Sequence, residues 1–293
     1  MNERTLNDSD GDCSLAIVCG GGSLPYALAD AAVRRGRRVV LFALRGWADP
    51  QRVAAYPHHW SWVGQIGRLL QLAEKEGCRE IVFIGSIVRP ARRHLFVDIR
   101  AIWMLPRLFR LLKGGDDHLQ SGLGRIFEER GFRLLAPHEV APELLMPRGP
   151  VGGRMPNDRD SADIAKGIAL LHATSPFDIG QAVVVANNHV LAVEGPEGTD
   201  QMLGRIVELR SNRRIRAPLG TGVLVKAPKD GQDHRIDLPS IGPKTVEGVK
   251  AAGLAGIAVV AGQTIVADHA RMAEVADQAG VFVVGVDTNG IVP

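Results

Sequence analysis

Acids and bases collect at two places in the second half of the chain. Residues 194–200 read EGPEGTD, and residues 226–242 read KAPKDGQDHRIDLPSIG. The first stretch carries Glu194, Glu197 and Asp200, and carboxylate oxygens are hard ligands suited to magnesium. The second sets Lys226, Lys229 and Arg235 among Asp230, Asp233 and Asp237, directly after the apolar run 223–225. Lys226 and Lys229 can offset phosphate charge, while Asp237 can hold a metal or orient water. Acids for a cation beside bases for phosphate are what phosphoryl chemistry requires. Two plainer readings stand beside this one. Charge that follows a strand usually faces water, and Thr199 is a natural helix N-cap.

Two further motifs could touch a substrate. In CGGGSLP, residues 19–25, the backbone of Gly20, Gly21, Gly22 and Ser23 could let a phosphate approach a helix N-terminus, or could simply make a tight turn. The dinucleotide fingerprint does not fit, because Pro25 occupies the third glycine position and the next strand ends in Arg45 instead of an acid. That argues against an oxidoreductase. In KGGDDH, residues 113–118, Asp116 and Asp117 could orient a substrate or bind a divalent cation beside Lys113, or could cap a helix. No Gly-x-Ser-x-Gly elbow and no His-x-x-x-His pair occurs, so neither a serine nucleophile nor a zinc site is expected.

The elements that must position these residues follow from periodicity. Buried strands are expected at 15–19, 37–46 and 80–87, with a short one at 59–63 and helices over 24–35 and 65–76. Strands alternating with helices imply βαβ units and a parallel sheet. Helical stretches at 97–113 and 116–130 and a strand at 132–135 complete that half. Residues 142–160 contain four prolines and three glycines without apolar periodicity, which marks an interdomain segment. Beyond it come a helix at 162–173, a hairpin turning at Asn187-Asn188, a helix from Thr199, a strand into the second charged stretch, a helix at 244–252, strands GIAVVAG and QTIVAD, a helix at 269–279 and a last strand VFVVGV. The expected fold class is α/β: an N-terminal Rossmann-like, nucleotide-binding-like domain with a parallel sheet over 14–141, a linker at 142–159, and a C-terminal catalytic α/β domain with a mixed sheet over 160–293. Residues 1–13 are expected to form a flexible tail.

Composition narrows the function class. With 45% hydrophobic and 23% charged residues, the 293-residue chain has the make-up of a globular protein. A formal charge of +3, without aromatic residues interleaved among the basic clusters, argues against nucleic acid. Cys13, Cys19 and Cys78 form no Cys-x-x-Cys pair and are expected to be buried thiols in a reducing compartment. The polar, acidic opening MNERTLNDSDGDCS lacks the pattern of an export signal, so a cytoplasmic location is expected. The segment Leu95–Leu112 is rich in large apolar residues, Trp103 among them, broken by Arg100, Arg107 and Arg110. It could pack into a core or could meet acyl chains and anionic head groups.

Read together and in order, GGGSLP, DIGQAVVV, VLAVEGPEGTDQML and GVLVKAPKDGQDHRIDLPSIGPKTVEGVKAAGLAGIAV resemble the UDP-2,3-diacylglucosamine pyrophosphatases of the LpxI type. The resemblance spans about residues 15–286. It implies a magnesium-dependent cytoplasmic enzyme of lipid A biosynthesis in Gram-negative bacteria, which splits UDP-2,3-diacylglucosamine into UMP and 2,3-diacylglucosamine 1-phosphate (lipid X). It also implies two domains with the substrate held between them. The essential aspartate of the family motif DLP[TS]IG corresponds to Asp237. On this reading Asp237 and Lys226 are catalytic, and Asp237 with one or more of Glu194, Glu197 and Asp200 holds Mg2+. Gly20, Gly21, Gly22, Ser23, Asp116, Asp117, Thr199 and Lys229 contact the substrate. Peripheral contact with the inner membrane and a homo-oligomer are both compatible with it. The competing reading is a non-catalytic sugar-nucleotide or lipid-binding module that needs no metal.

Overall fold

The computed structural model describes residues 13–87, 122 and 124–292. Residues 1–12, the segment Leu95–Leu112, Lys113, Asp116 and Asp117 lie outside the described residues. The chain forms two compact units, Met1–Ala141 and Pro142–Pro293.

The first unit is built on a five-stranded sheet: β1 (Ser14–Cys19), β2 (Val39–Leu44), β3 (His58–Ser61), β4 (Cys78–Ile84) and β5 (Arg133–Leu134). The strand order is β3-β2-β1-β4-β5 and every pairing is parallel, so this is the expected Rossmann-like half. Every residue of β1 and β2 is buried, as parallel strands covered on both faces must be. Helices Leu24–Arg34 and Ile66–Lys75 follow β1 and β3. Cys19 and Cys78 are buried as expected, and burial pushes both thiols up. Cys13 is exposed, because it lies just before β1 rather than within it.

The second unit carries a mixed six-stranded sheet of β6 (Gly149–Pro150), β7 (Ala182–Ala186), β8 (His189–Val193), β9 (Val223–Lys226), β11 (Gly256–Val260) and β13 (Phe282–Val286). Their order is β6-β13-β11-β9-β7-β8. A separate parallel pair joins β10 (Ser240–Ile241) to β12 (Ile265–Val266). Sequence patterning suggests a longer strand at 263–268, but Asp268 ends it by capping helix His269–Ala279 through the amide of Arg271 at 2.9 Å. Alternate residues of the main strands feed two apolar clusters. Val184, Leu224, Ile257 and Val283 pack with helices Thr199–Ser211, Pro243–Ala251 and His269–Ala279, while Val183, Val225, Ala258 and Val284 pack against helix Asp158–Thr174. Each fully buried Val or Leu contributes roughly 1.5–3 kcal/mol, so burial on both faces holds the sheet to its helices.

The hairpin turns where expected, with both asparagines at positive φ, 51° at Asn187 and 64° at Asn188. The buried carboxylate of Asp163 accepts from both of their amides, at 2.9 and 2.6 Å. Residues 142–159 belong to the second unit. Within that segment Met146 is 1% exposed and donates its amide to the Thr264 carbonyl at 2.8 Å, and β6 pairs antiparallel with β13. Among the described residues, no helix is long and apolar enough to cross a membrane.

Candidate active site

Register brings the site together. Ala182 pairs with Lys226 and Val183 with Val193, so Gln181, Glu194 and Lys226 all arrive at one end of the second sheet. The amide of Ala227 donates to the Gln181 carbonyl at 3.1 Å, which extends the ladder past the strand ends. From there the loop 227–239 leaves β9 and returns at Ser240 of β10.

Lys226 is only 8% exposed. Its Nζ donates to Thr199 Oγ1 at 3.0 Å and to the Ser240 carbonyl at 3.1 Å. Burial pushes its ammonium below the ordinary lysine value, against the opposing pull of Glu194, Asp237 and Asp200. Glu194, 9% exposed, uses both carboxylate oxygens. Oε1 accepts from the Thr199 hydroxyl at 2.6 Å, and Oε2 accepts from the Gln181 amide at 2.7 Å. The Thr199 hydroxyl therefore stands between a buried cation and a buried anion, accepting from one and donating to the other. Gly180 makes room for this arrangement, since a Cβ there would lie 2.6 Å from Glu194 Cγ.

Asp237 sits on the loop. Its Oδ2 accepts from Gln181 Nε2 at 3.1 Å and from Gln232 Nε2. The loop is braced from within: Gln232 Oε1 accepts from the Lys229 amide at 3.1 Å, and the Asp237 amide donates to the Asp233 carbonyl at 3.1 Å. Hydrogen bonds from Arg235 hold the Asp233 carboxyl below the usual carboxylate range.

Other residues singled out by sequence have further partners of their own. Glu197 pairs with Arg205 at 3.2 Å, and Asp200 with Lys244 at 2.6 Å. Lys229 Nζ donates to Asp178 Oδ1. Thr199 is not the N-cap, because Gly198 at φ 81° takes that position and the threonine begins the helix. Its hydroxyl is thereby released to the Lys226–Glu194 link. Among the described residues, no group of three His, Cys, Asp or Glu side chains is arranged to hold a metal. Magnesium is often held by only one or two protein carboxylates with water and other oxygen ligands completing its shell, and Asp237, Glu194, Glu197 and Asp200 supply such carboxylates singly.

Gln181 and Gln232 carry no chemical signal in the sequence, yet they are the donors that hold Asp237. Gln232 could have been suspected from its place inside the charged stretch. Gln181 lies in DIGQAVVV, one of the stretches that carry the family resemblance, but its residue type before an apolar strand marks no chemistry.

In the first unit the glycine-rich turn is built for close approach. The amides of Gly20 and Gly21 donate to the carbonyls of Ile84 and Ser86 at 2.9 and 2.8 Å, and the Ser86 amide returns a bond to Gly21 at 3.0 Å. A Cβ on Gly20 would lie 2.8 Å from the Ser86 carbonyl oxygen. Gly22 turns the chain at φ 91°, and Ser23 precedes the helix without a side-chain capping bond.

Two family profiles cover almost all of the chain: the LpxI N-terminal domain over residues 14–144 and the LpxI C-terminal domain over residues 147–284. A curated protein of Caulobacter vibrioides, UDP-2,3-diacylglucosamine pyrophosphatase LpxI, is 40% identical over 273 residues, which is 93% of this chain and 97% of that one. Among solved structures, the biotin carboxylase domain of a thermophilic 2-oxoglutarate carboxylase bound to ADP is 13% identical over 69% of this chain and 42% of its own, with a TM-score of 0.26. The corresponding domain dimer of Hydrogenobacter thermophilus is 14% identical over 70% of this chain and 42% of its own, also at 0.26. At that level the likeness assigns neither fold nor ligand.

Proposed function

The chain belongs to the LpxI family, and from that premise we propose that it hydrolyses the pyrophosphate bond of UDP-2,3-diacylglucosamine in lipid A biosynthesis, with magnesium, to UMP and 2,3-diacylglucosamine 1-phosphate. The observation that carries the reading is local to the second unit. Gln181 links Asp237 to Glu194, and Thr199 links Glu194 to the buried Lys226, so motifs far apart in sequence share one strand-end cluster.

Each residue has a role in this chemistry. Hydrolysis adds water across the P–O–P bridge: one phosphorus gains the water oxygen, the other keeps the bridging oxygen, and a proton leaves to solvent. Asp237 would hold the magnesium, which would supply charge neutralisation at the pyrophosphate and a more acidic water. Asp237, fixed by two carboxamides, holds its carboxylate in one orientation. Lys226 places a cation among buried groups, where charge on the pyrophosphate interacts more strongly than in water. Glu194 and Thr199 keep that ammonium aimed. Two acyl chains confine the substrate to a membrane, so in the same proposal the enzyme works in the cytoplasm in peripheral contact with the inner membrane.

Purified protein incubated with the diacylated sugar nucleotide, with magnesium or with EDTA, tests this directly. UMP and lipid X in stoichiometric amounts with magnesium, and neither with EDTA, are expected. Binding without UMP release would favour a non-catalytic module, and unchanged turnover in EDTA would remove the metal.

A further inference from the structure

We infer that Gln181 is a positioning residue, tying the loop carboxylate of Asp237 to the sheet that carries Glu194 and Lys226. The inference rests on the pyrophosphatase reading of Asp237. Gln181 is held on its main chain from two sides: its amide donates to Glu194 Oε2 at 2.7 Å, and its carbonyl accepts from the Ala227 amide at 3.1 Å. Its side-chain Nε2 then donates to Asp237 Oδ2 at 3.1 Å. Gln232 donates to the same oxygen, but it lies in the same loop as Asp237, five residues away, and travels with it. Gln181 stands at the start of β7 and does not. Gln232 and the Asp233 carbonyl hold Asp237 within its loop, so the bond from Gln181 acts on the placement of that loop against the sheet, where a misplacement of about 1 Å can cost 10²-fold in rate. A donor anchored on the sheet sets that placement before substrate arrives.

Substitution at this position separates the two acids. The main-chain amide that holds Glu194 survives any side-chain change, whereas the bond to Asp237 does not. Gln181→Met keeps the length and removes both donors. Its kcat is expected to fall about 10–100-fold, the range for losing an outer partner of a functional ligand, with KM within about threefold and the melting temperature within a few degrees. In an Asp237→Asn background the same substitution should cost nothing further, because its effect runs through that carboxylate. Wild-type kcat in Gln181→Met, or an equal loss in both backgrounds, overturns the inference. An inactive Asp237→Asn beside a fully active Gln181→Met overturns it alone. Full turnover by Asp237→Asn overturns the reading of Asp237 and this inference with it.

Discussion

The two units place polar loops at the ends of their sheets and use them differently. At the end of β1, the amides of Gly20 and Gly21 are committed to the carbonyls of Ile84 and Ser86, so that turn joins two strand ends through backbone alone. At the end of β9, the bonds run between side chains, from Lys226 to Thr199 to Glu194 and from Gln181 to Asp237. The first arrangement is steric and needs the absence of side chains. The second is electrostatic and needs their presence, with a lysine and a glutamate buried together. Polar side chains buried at such cost are far more informative about chemistry than a turn that backbone packing already explains.

The largest effect expected from breaking this contrast is at Asp237. Asp237→Asn should lower kcat on the order of 10³-fold while its melting temperature stays near wild type, because a loop acid contributes little to the core. A steady-state assay with a thermal melt checks both; a folded variant with near-normal turnover would remove Asp237 from the site.

Lys226→Met should follow, with kcat down roughly 10²-fold, and here stability should fall as well, by about 1–3 kcal/mol, since Glu194 loses its cation. The pH dependence has opposite signs for the two properties. Burial depresses the Lys226 ammonium, so activity that needs the cation should fall as pH rises through that lowered value, below the ordinary lysine range. The unfolded chain holds this proton more tightly, so the lysine's contribution to stability should rise over the same window. Parallel rate and urea-melt profiles of wild type and Lys226→Met separate the two. A wild-type alkaline limb that survives the substitution would show that another group titrates.

Two glycine substitutions sharpen the comparison. Gly180→Ala would put a Cβ 2.6 Å from Glu194 Cγ, so it should cost about 1–3 kcal/mol by overpacking and move the carboxylate, lowering kcat roughly 10-fold. Gly20→Ala meets the Ser86 carbonyl oxygen at 2.8 Å and should cost a similar 1–3 kcal/mol, but with kcat per folded molecule within about threefold. A kcat loss at Gly20 matching that at Gly180 would mean that the first unit's turn also carries chemistry.

The smallest effects are expected at Glu197 and Asp200. Their partners Arg205 and Lys244 are surface residues, and exposed ion pairs contribute little. Glu197→Gln and Asp200→Asn should each leave kcat within about threefold. A drop as large as that of Asp237→Asn, restored by raising magnesium, would instead place these acids on the metal.

Much of the fold was already written in the sequence, because its signals are local. The runs LAIVC, VVLFAL and GIAVV are buried strands whatever surrounds them, the Asn187-Asn188 pair demands positive φ, and alternation of strands with helices dictates a parallel core in the first unit. Charge after a buried strand likewise marked Lys226 and Asp237. What sequence could not decide was which of the neighbouring acids and bases point together. Glu194, Glu197 and Asp200 lie within seven residues and look equivalent, yet only Glu194 turns inward, because the hairpin register sets it opposite the end of β9 while the other two face Arg205 and Lys244. Thr199 looked like a cap until Gly198 took that place. Gln181 is the clearest case: an unremarkable glutamine in the chain, it becomes the donor that joins two acids 43 residues apart, from Glu194 to Asp237, since its partners are chosen by strand pairing and not by spacing. Local chemistry determined the elements and the candidate charges. Long-range register, which no local pattern encodes, decided which of them meet.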